Sequence, residues 1–160
     1  MNIITTGLLG LSVADAIGVP VEFQTRTELD KNPVTDIRSH GTYNQPAGYF
    51  SDDSSLAFGL AESLATGIFD LEDQAKRLIN YKAYGYWTPA DEIFDIGATT
   101  SFSIARLGRM IEKGETEKLA QLHQLATERD NGNGALMRIF PLYAYLRDKP
   151  VGEWIAPVWQ

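Results

Sequence analysis

The sequence predicts an all-α protein, because its long apolar segments repeat with helical spacing and none of them alternates as a β-strand does. Apolar side chains recur every three or four residues in at least five segments, and most of these segments are bounded by a capping residue or a glycine. With 160 residues, 44% of them hydrophobic, the chain can bury a core. We therefore expect a single helical domain over residues 1–160.

The charge balance and the missing cysteines narrow the chemistry. The chain has 21 acidic and 14 basic residues and a net charge of -7, which argues against nucleic acid as a partner. Without cysteine there are no disulfides, thiolate nucleophiles or thiolate zinc sites. Residues 1–11 lack a basic leader pattern, and nowhere do 18 apolar residues follow one another, so we expect a cytoplasmic protein with no membrane partner.

The first predicted helix spans residues 3–17 and is expected to be buried. Gly18 suits the left-handed position after a helix, and Pro20 prevents continuation. Asp15 is unusual within this apolar segment, since a buried carboxylate needs a partner. The sequence leaves two interpretations open, a solvent-facing stripe or a buried and paired carboxylate.

A second stretch begins the predicted central helix, which runs from about Ser51 to Thr66. Ser51 is a good N-cap, and Asp52 and Asp53 follow it at the positive end of the helix dipole. These carboxylates are either simple capping residues or oxygen ligands for a hard cation such as Mg2+. Both interpretations remain open on this stretch alone.

Between these helices, residues 19–50 show no periodicity and are rich in proline and glycine, which predicts a long connection. Glu22, at its start, is a candidate catalytic carboxylate on a mobile loop. The simpler interpretation is a solvated side chain, because most loop glutamates are exposed.

Further helical segments follow the central one. One is capped by Asp70 and runs towards Trp87, another follows residues 96–100 and closes at Gly114, and a short amphipathic helix carries leucines three residues apart. After them comes Gly132-Asn133-Gly134, with Arg138 one helical turn beyond. Glycines before a helix let main-chain amides converge on an anion, although Asn-Gly is also a common turn dipeptide.

Four stretches carry a further signal when they are taken together and in order. They are GLLGLSVADAIGVPVEF at 7–23, YFSDDSSLA at 49–57, DIGATT at 95–100 and GNGALMR at 132–138. The set resembles the ADP-ribosylglycohydrolase family, which includes the dinitrogenase reductase-activating glycohydrolase, over about residues 5–146. The combination is far more specific than any one stretch, and it favours the metal-ligand interpretation of residues 51–53.

The resemblance implies an all-α, multi-helix orthogonal bundle with a cleft for two Mg2+ ions, or Mn2+ in some members. The implied reaction is hydrolysis of the bond between ADP-ribose and a protein side chain or small molecule. By motif match, the metal ligands are Ser51, Asp52 and Asp53, and the catalytic carboxylates are Glu22 and Asp53. The substrate-binding residues are Asp95, Gly97, Gly132, Asn133, Gly134, Met137 and Arg138.

The chain departs from the family pattern in several places. Serine replaces threonine beside the two aspartates, and Ala14 stands where many members have glycine. The chain is short, and the family's second metal-ligand cluster, an Asp-x-Asp-Thr motif in the C-terminal part, is absent. An incomplete metal site with impaired turnover is therefore expected. The alternative is a non-catalytic ADP-ribose-binding or helical interaction module.

The last ten residues are mostly apolar and have no clear helix stop. They are expected to expose two tryptophans, Trp154 and Trp159, together with further apolar side chains such as Ile155 and Val158. Such a surface suggests a complementing C-terminal segment or a second copy of the chain as its partner, through residues 151–160.

Overall fold

The computed structural model describes residues 2–130 and 132–159, and in this part of the chain it is helical with no β-strand. His40 and Gln45 form one isolated bridge. The all-α prediction is confirmed. The α-helices are α1 (Ile3–Gly18), α2 (Arg26–Lys31), α3 (Asp52–Leu64), α4 (Leu71–Tyr84), α5 (Ala98–Glu112), α6 (Gly134–Met137), α7 (Phe140–Leu146) and α8 (Ile155–Trp159).

Helix α3 is the centre of the fold, as predicted. It begins after the N-cap Ser51, whose hydroxyl accepts a hydrogen bond from the Asp53 amide, and it packs against α1, α4, α6 and α7. Most of its side chains are buried, with Ala57 fully so. The helix ends at Leu64, two residues before the predicted end at Thr66, and Gly67 follows with a left-handed φ of 79°.

Three groups of buried side chains form the core. One joins α3, α4 and α5 through Leu56, Tyr81 and Ile104, and another joins α3 to α7. The third includes Leu119 from a 3₁₀ segment, Thr116–Leu125. The sequence predicted a short amphipathic helix there, and its leucine spacing of three fits the three residues per turn of a 3₁₀ helix.

Helix α1 has its predicted ends, but two expectations about it were wrong. Gly18 is right-handed, with φ of -73°, and the chain continues into a 3₁₀ turn at Val19–Val21. Pro20 is tolerated because it lies in the first turn of that segment, where its missing N–H is not needed. The helix is also largely exposed, with only Ala16 buried.

Together with this turn, α1 makes a 19-residue segment, Ile3–Val21, that is long and apolar enough to cross a membrane by length and composition. Core helices of soluble proteins can be equally long and apolar, but only 17% of an 18-residue window in this segment is buried in the structure. The segment carries Asp15, whose carboxylate bonds to the start of α3.

The connection between α1 and α3 contains a helix that the sequence interpretation missed. Helix α2 starts at a complete capping box, in which Thr25 accepts from the Glu28 amide and the Glu28 carboxylate accepts from the Thr25 amide. The Thr-x-x-Glu spacing was visible in the sequence, but the helix has only six residues and no apolar periodicity.

The C-terminal part is more broken than predicted. Instead of one helix after the glycines, α6 and α7 are separated at Arg138 and Ile139, and Pro141 occupies the first turn of α7. Trp154 is half-buried against the α3–α7 group rather than exposed, and its indole N–H donates to the Lys149 carbonyl. Ile155 and Val158 are exposed as expected, whereas the side chain of Trp159 lies outside the described residues.

Candidate functional site

A cleft of about 980 Å³ lies where α1, α3 and the N-terminus of α5 meet residues 132–137. Ten of the eleven predicted site residues line it. They are Glu22, Ser51, Asp52, Asp53, Asp95, Gly97, Gly132, Asn133, Gly134 and Met137. The cleft therefore brings together residues that are up to 115 positions apart in sequence.

Asp15 connects α1 to the start of α3. Its carboxylate accepts hydrogen bonds from the main-chain amides of Ser51 and Ser54, at 3.0 and 3.1 Å, and from both serine hydroxyls. Asp15 is therefore paired, as the second interpretation held, although it is half-buried rather than buried. Asp15 thus caps α3 from another helix, and its hydrogen bonds fix the position of the α3 N-terminus relative to α1.

Asp52 and Asp53 follow this cap and face a crowded negative site. Burial, together with the charge of Asp95, raises the pKa of Asp52 to about 6, although the Gly97 amide opposes this by donating to its Oδ2 at 3.4 Å. Burial and the nearby charges of Asp15 and Asp52 raise the pKa of Asp53 to about 7. Both carboxylates are ionised less readily than in water.

Two tyrosines support the carboxylates on the opposite side. The buried Tyr81 hydroxyl donates to the Asp95 carbonyl at 2.8 Å, which fixes the loop before α5. Burial, followed by the neighbouring carboxylates of Glu22 and Asp95, raises the pKa of the Tyr43 hydroxyl. Tyr43 therefore lies between two predicted site residues, although the sequence interpretation gave it no role.

Glu22 is half-buried at the end of the 3₁₀ turn after α1, and its side chain lines the cleft. Its main-chain carbonyl accepts a hydrogen bond of 2.7 Å from the Thr42 hydroxyl. The predicted mobile loop residue is thus part of a turn that is bonded to a second segment.

The glycine segment, defined here as residues 132–137, borders the N-terminus of α5. A Cβ atom added to Gly134 would lie 2.8 Å from the Thr100 hydroxyl oxygen, and one on Gly132 would lie 3.3 Å from Thr99. Helix α6 has only four residues, so its dipole is small and any anion here would be bound mainly by loop amides.

Arg138 is the one predicted site residue that does not line the cleft. It lines a second cavity of about 340 Å³, bounded mainly by apolar side chains of α3, α4 and α7. Burial lowers the pKa of its guanidinium, while the charge of Asp52 opposes that shift. Arg138 therefore lies outside the cleft, but close enough to Asp52 for the two charges to interact.

The residues at the cleft fit a hard divalent cation. Five carboxylates line it, from Asp15, Glu22, Asp52, Asp53 and Asp95, and no Lys, Arg or His does so among the described residues. That charge is unbalanced, and an oxygen-ligated cation would balance it. Within residues 2–130 and 132–159, however, no three His, Asp or Glu side chains converge as a ready-made metal site.

The comparison with protein families gives a match over almost the whole sequence. The family model described as ADP-ribosylglycohydrolase matches residues 2–157, which is nearly the whole chain. The chain belongs to the ADP-ribosylglycohydrolase family.

Curated members of this family show the same similarity. The ADP-ribosylarginine hydrolase Tri1 of Pseudomonas putida (strain GB-1) is 28% identical over 154 residues, which covers 96% of this chain and 38% of that protein. Tri1 of Serratia proteamaculans (strain 568) is 36% identical over 94 residues, covering 58% of this chain and 25% of that protein. The ADP-ribosyl-[dinitrogen reductase] glycohydrolase of Rhodospirillum rubrum is 29% identical over 136 residues, covering 83% and 41% respectively.

The chain thus spans less than half the length of these ADP-ribosylglycohydrolases. Residues that the sequence interpretation missed at the cleft are Phe23, Tyr43, Thr99 and Thr100. The two threonines lie in the DIGATT stretch and could have been included from it. Phe23 is the last residue of the stretch 7–23 and could have been included in the same way, whereas no sequence pattern pointed to Tyr43.

Proposed function

We propose that this chain binds an ADP-ribosyl group in the cleft and contributes to hydrolysis of its bond to an arginine side chain. The observation that carries the proposal is the meeting of five carboxylates with the glycine segment in one cleft. The arginine linkage is taken from the Pseudomonas and Serratia relatives, which are named ADP-ribosylarginine hydrolases.

The diphosphate of the ligand is assigned to the glycine segment, because an anion would be repelled by the carboxylates. Main-chain amides around Gly132 and Gly134 can approach phosphate oxygens without obstruction by side chains. The terminal ribose then lies beside Asp52, which is buried, and Asp53, which is half-buried, at the start of α3.

Ser51, Asp52 and Asp53 are the residues that would hold Mg2+ or Mn2+. A bound cation would supply positive charge against the ribose hydroxyls and make a water molecule easier to deprotonate. Asp15 fixes these ligands by bonding to the Ser51 amide and hydroxyl. The carboxylates would otherwise repel one another, so the cation would also stabilise the local fold.

Glu22 is assigned to proton transfer. Water attacks the anomeric carbon, a C–O bond forms, and the electron pair of the broken C–N bond stays with the guanidine nitrogen. Glu22 accepts the proton that the water loses and passes it to the leaving guanidine, so the products are ADP-ribose and arginine. Its half-buried position at the cleft is suited to this role.

The isolated chain is expected to turn over poorly. Asp52 and Asp53 supply only part of a site, Mg2+ loses its waters reluctantly, and a reacting group misplaced by about 1 Å can lose roughly a hundredfold in rate. A binding role without turnover is the second candidate, and it is favoured by the absence of a converged metal site among the described residues.

One experiment tests the proposal and separates the two roles. Calorimetry with ADP-ribose, with and without millimolar Mg2+, measures binding, and release of ADP-ribose from ADP-ribosyl-arginine and ADP-ribosyl-serine measures turnover. We expect binding strengthened by Mg2+ and little or no turnover. The Mg2+ effect should be lost in Asp52→Ala but kept in Asp30→Ala, an exposed aspartate on α2.

Two results would contradict the proposal. If the chain does not bind ADP-ribose under either condition, the cleft has been assigned the wrong ligand. If Mg2+ still strengthens binding in Asp52→Ala, the metal ligands are elsewhere. Robust turnover by the chain alone, lost in Asp52→Ala, would show instead that these residues build a working site unaided.

A further inference from the structure

Phe23 has an unusual combination of position and exposure. Phe23 lines the cleft next to Glu22, and 82% of the residue surface is exposed. Its φ of 62° lies in the left-handed region, which a bulky residue adopts only at an energetic cost. The surrounding structure must therefore hold Phe23 in this conformation.

The turn around Phe23 is fixed on both sides. The Gln24 amide donates to the Val21 carbonyl at 3.1 Å, and the Thr42 hydroxyl donates to the Glu22 carbonyl at 2.7 Å. Residues 41–43 pack so closely against the turn that a Cβ on Gly41, whose φ is 61°, would overlap the Pro20 carbonyl.

An aromatic row supports the ring from behind. The centroids of the Phe23 and Tyr43 rings are 6.5 Å apart, and those of Tyr43 and Phe94 are 5.4 Å apart. The Phe23 ring is thus supported at one side while most of its surface remains open to the cleft and solvent.

The segment 94–100 shows on which side of the carboxylates the ring lies. At the start of this segment, the Phe94 ring contacts Tyr43, which in turn contacts Phe23. In its middle, the Gly97 amide donates a hydrogen bond to Asp52. Thr99 and Thr100 are at the other end, against the glycine segment. A ligand with its diphosphate on the glycine segment and its ribose at Asp52 therefore extends its leaving group towards Phe23.

We propose that Phe23 forms the leaving-group subsite and selects a guanidinium. The open face of an aromatic ring attracts a cation, and the surrounding carboxylates make the cleft negative, whereas a neutral leaving group gains little from either. This inference rests on the proposed function. Phe23 determines specificity and takes no part in the proton transfer.

The test compares ligands that differ only beyond the ribose. Affinities for ADP-ribose, ADP-ribosyl-arginine and ADP-ribosyl-serine are measured by calorimetry on the 160-residue chain, with mass spectrometry confirming that each ligand stays intact. Phe23→Ala is expected to lose roughly twofold to thirtyfold in affinity for ADP-ribosyl-arginine, the range of cation–π contacts, and to keep its affinity for the other two.

Three variants serve as controls. Phe23→Tyr keeps an aromatic face and should retain the preference for ADP-ribosyl-arginine over the other two ligands. Phe23→Leu keeps an apolar side chain without that face and should lose this preference. Phe102→Ala removes an aromatic side chain that is 75% exposed on α5 and does not line the cleft, so it should change nothing. Phe23 is so exposed that these substitutions should leave the fold intact.

Several outcomes would overturn the assignment. Equal losses for ADP-ribose and ADP-ribosyl-arginine in Phe23→Ala would place the ring against ADP-ribose itself. A retained preference in Phe23→Leu or Phe23→Ala would remove the guanidinium subsite while leaving the proposed function standing. If the unmodified chain binds none of the three ligands, the proposed function fails and this inference fails with it.

Discussion

The cleft has a carboxylate side, formed by Asp15 and residues 51–53, and a glycine side, formed by residues 132–137. The two sides are held by different kinds of hydrogen bond. Asp15 bonds to Ser51 and Ser54 through side chains that are 36 and 39 positions apart in sequence. On the glycine side, the amides of Leu136 and Met137 bond to the nearby Asn133 carbonyl. The first side is part of the core, so changes there should alter stability, whereas changes on the second should alter binding.

The largest expected effect is on the carboxylate side. Asp15→Ala leaves the amides and hydroxyls of Ser51 and Ser54 without their acceptor, and Ser54 is fully buried. The free energy of unfolding should fall by about 3 kcal/mol, the value for bonds to a charged group. Urea unfolding measures it, with the exposed Asp30→Ala as a control that should change it by less than about 0.5 kcal/mol. A loss below about 1 kcal/mol would show that Asp15 does not anchor α3.

The carboxylate side should also make the free energy of unfolding depend on pH. The folded-state pKa values of Asp52 and Asp53, about 6 and about 7, are above the ordinary value of 3.8. The folded protein therefore binds more protons than the unfolded chain, so this stability is fully present below about pH 3.8 and is lost as pH rises through 6 to 7.

Thermal unfolding across this pH range, in the absence of divalent cations, measures the loss, which we expect to be several kcal/mol because a pKa difference of one between folded and unfolded protein is worth about 1.4 kcal/mol. Asp53→Asn should flatten the profile, because the amide carries no charge. Added Mg2+ should stabilise the protein most at the high-pH end, where the carboxylates are ionised. A melting temperature that rises between pH 5 and pH 8 in metal-free protein would have the wrong sign.

On the glycine side, the expected effect is on affinity. Gly134→Val places its Cβ 2.8 Å from the Thr100 hydroxyl oxygen, so the glycine segment must shift from its place at the cleft and the affinity for ADP-ribose should fall by about tenfold. Gly152→Val, at an exposed glycine with no atom within 4 Å of its added Cβ, is the matched control. Unchanged affinity in Gly134→Val would mean that the segment is only a turn.

The smallest effect should come from Arg138, which lines the second cavity and not the cleft. Arg138→Ala should weaken ADP-ribose binding only a few-fold, because the guanidinium lines the second cavity and acts on the cleft through the charge of Asp52. Arg138→Lys keeps the charge and should restore most of the affinity. A tenfold or greater loss in Arg138→Ala, with Arg138→Lys no better, would indicate direct contact between the guanidinium and the ligand.

Much of the fold could be predicted because its signals are local. The N-caps Ser51 and Asp70 and the left-handed glycines after α3 and α5 act within one turn of the helices they bound. The helix that was missed, α2, has a capping box but too few residues to show periodicity. Gly18 was assigned wrongly because a glycine before proline can end a helix or continue it as a 3₁₀ turn, and neighbouring residues do not decide between them.

The candidate site also has features that could be predicted from the sequence and features that could not. The sequence by itself determined most of the helices, the unbalanced acidic charge and the four stretches to which all the described cleft-lining residues belong. Only the tertiary structure decided that Asp15 caps α3, that Arg138 lies behind the cleft, and that Phe23 is held open beside Glu22. Helix starts and stops depend on residues a few positions apart, whereas burial and side-chain partners depend on elements that meet only when the chain is folded.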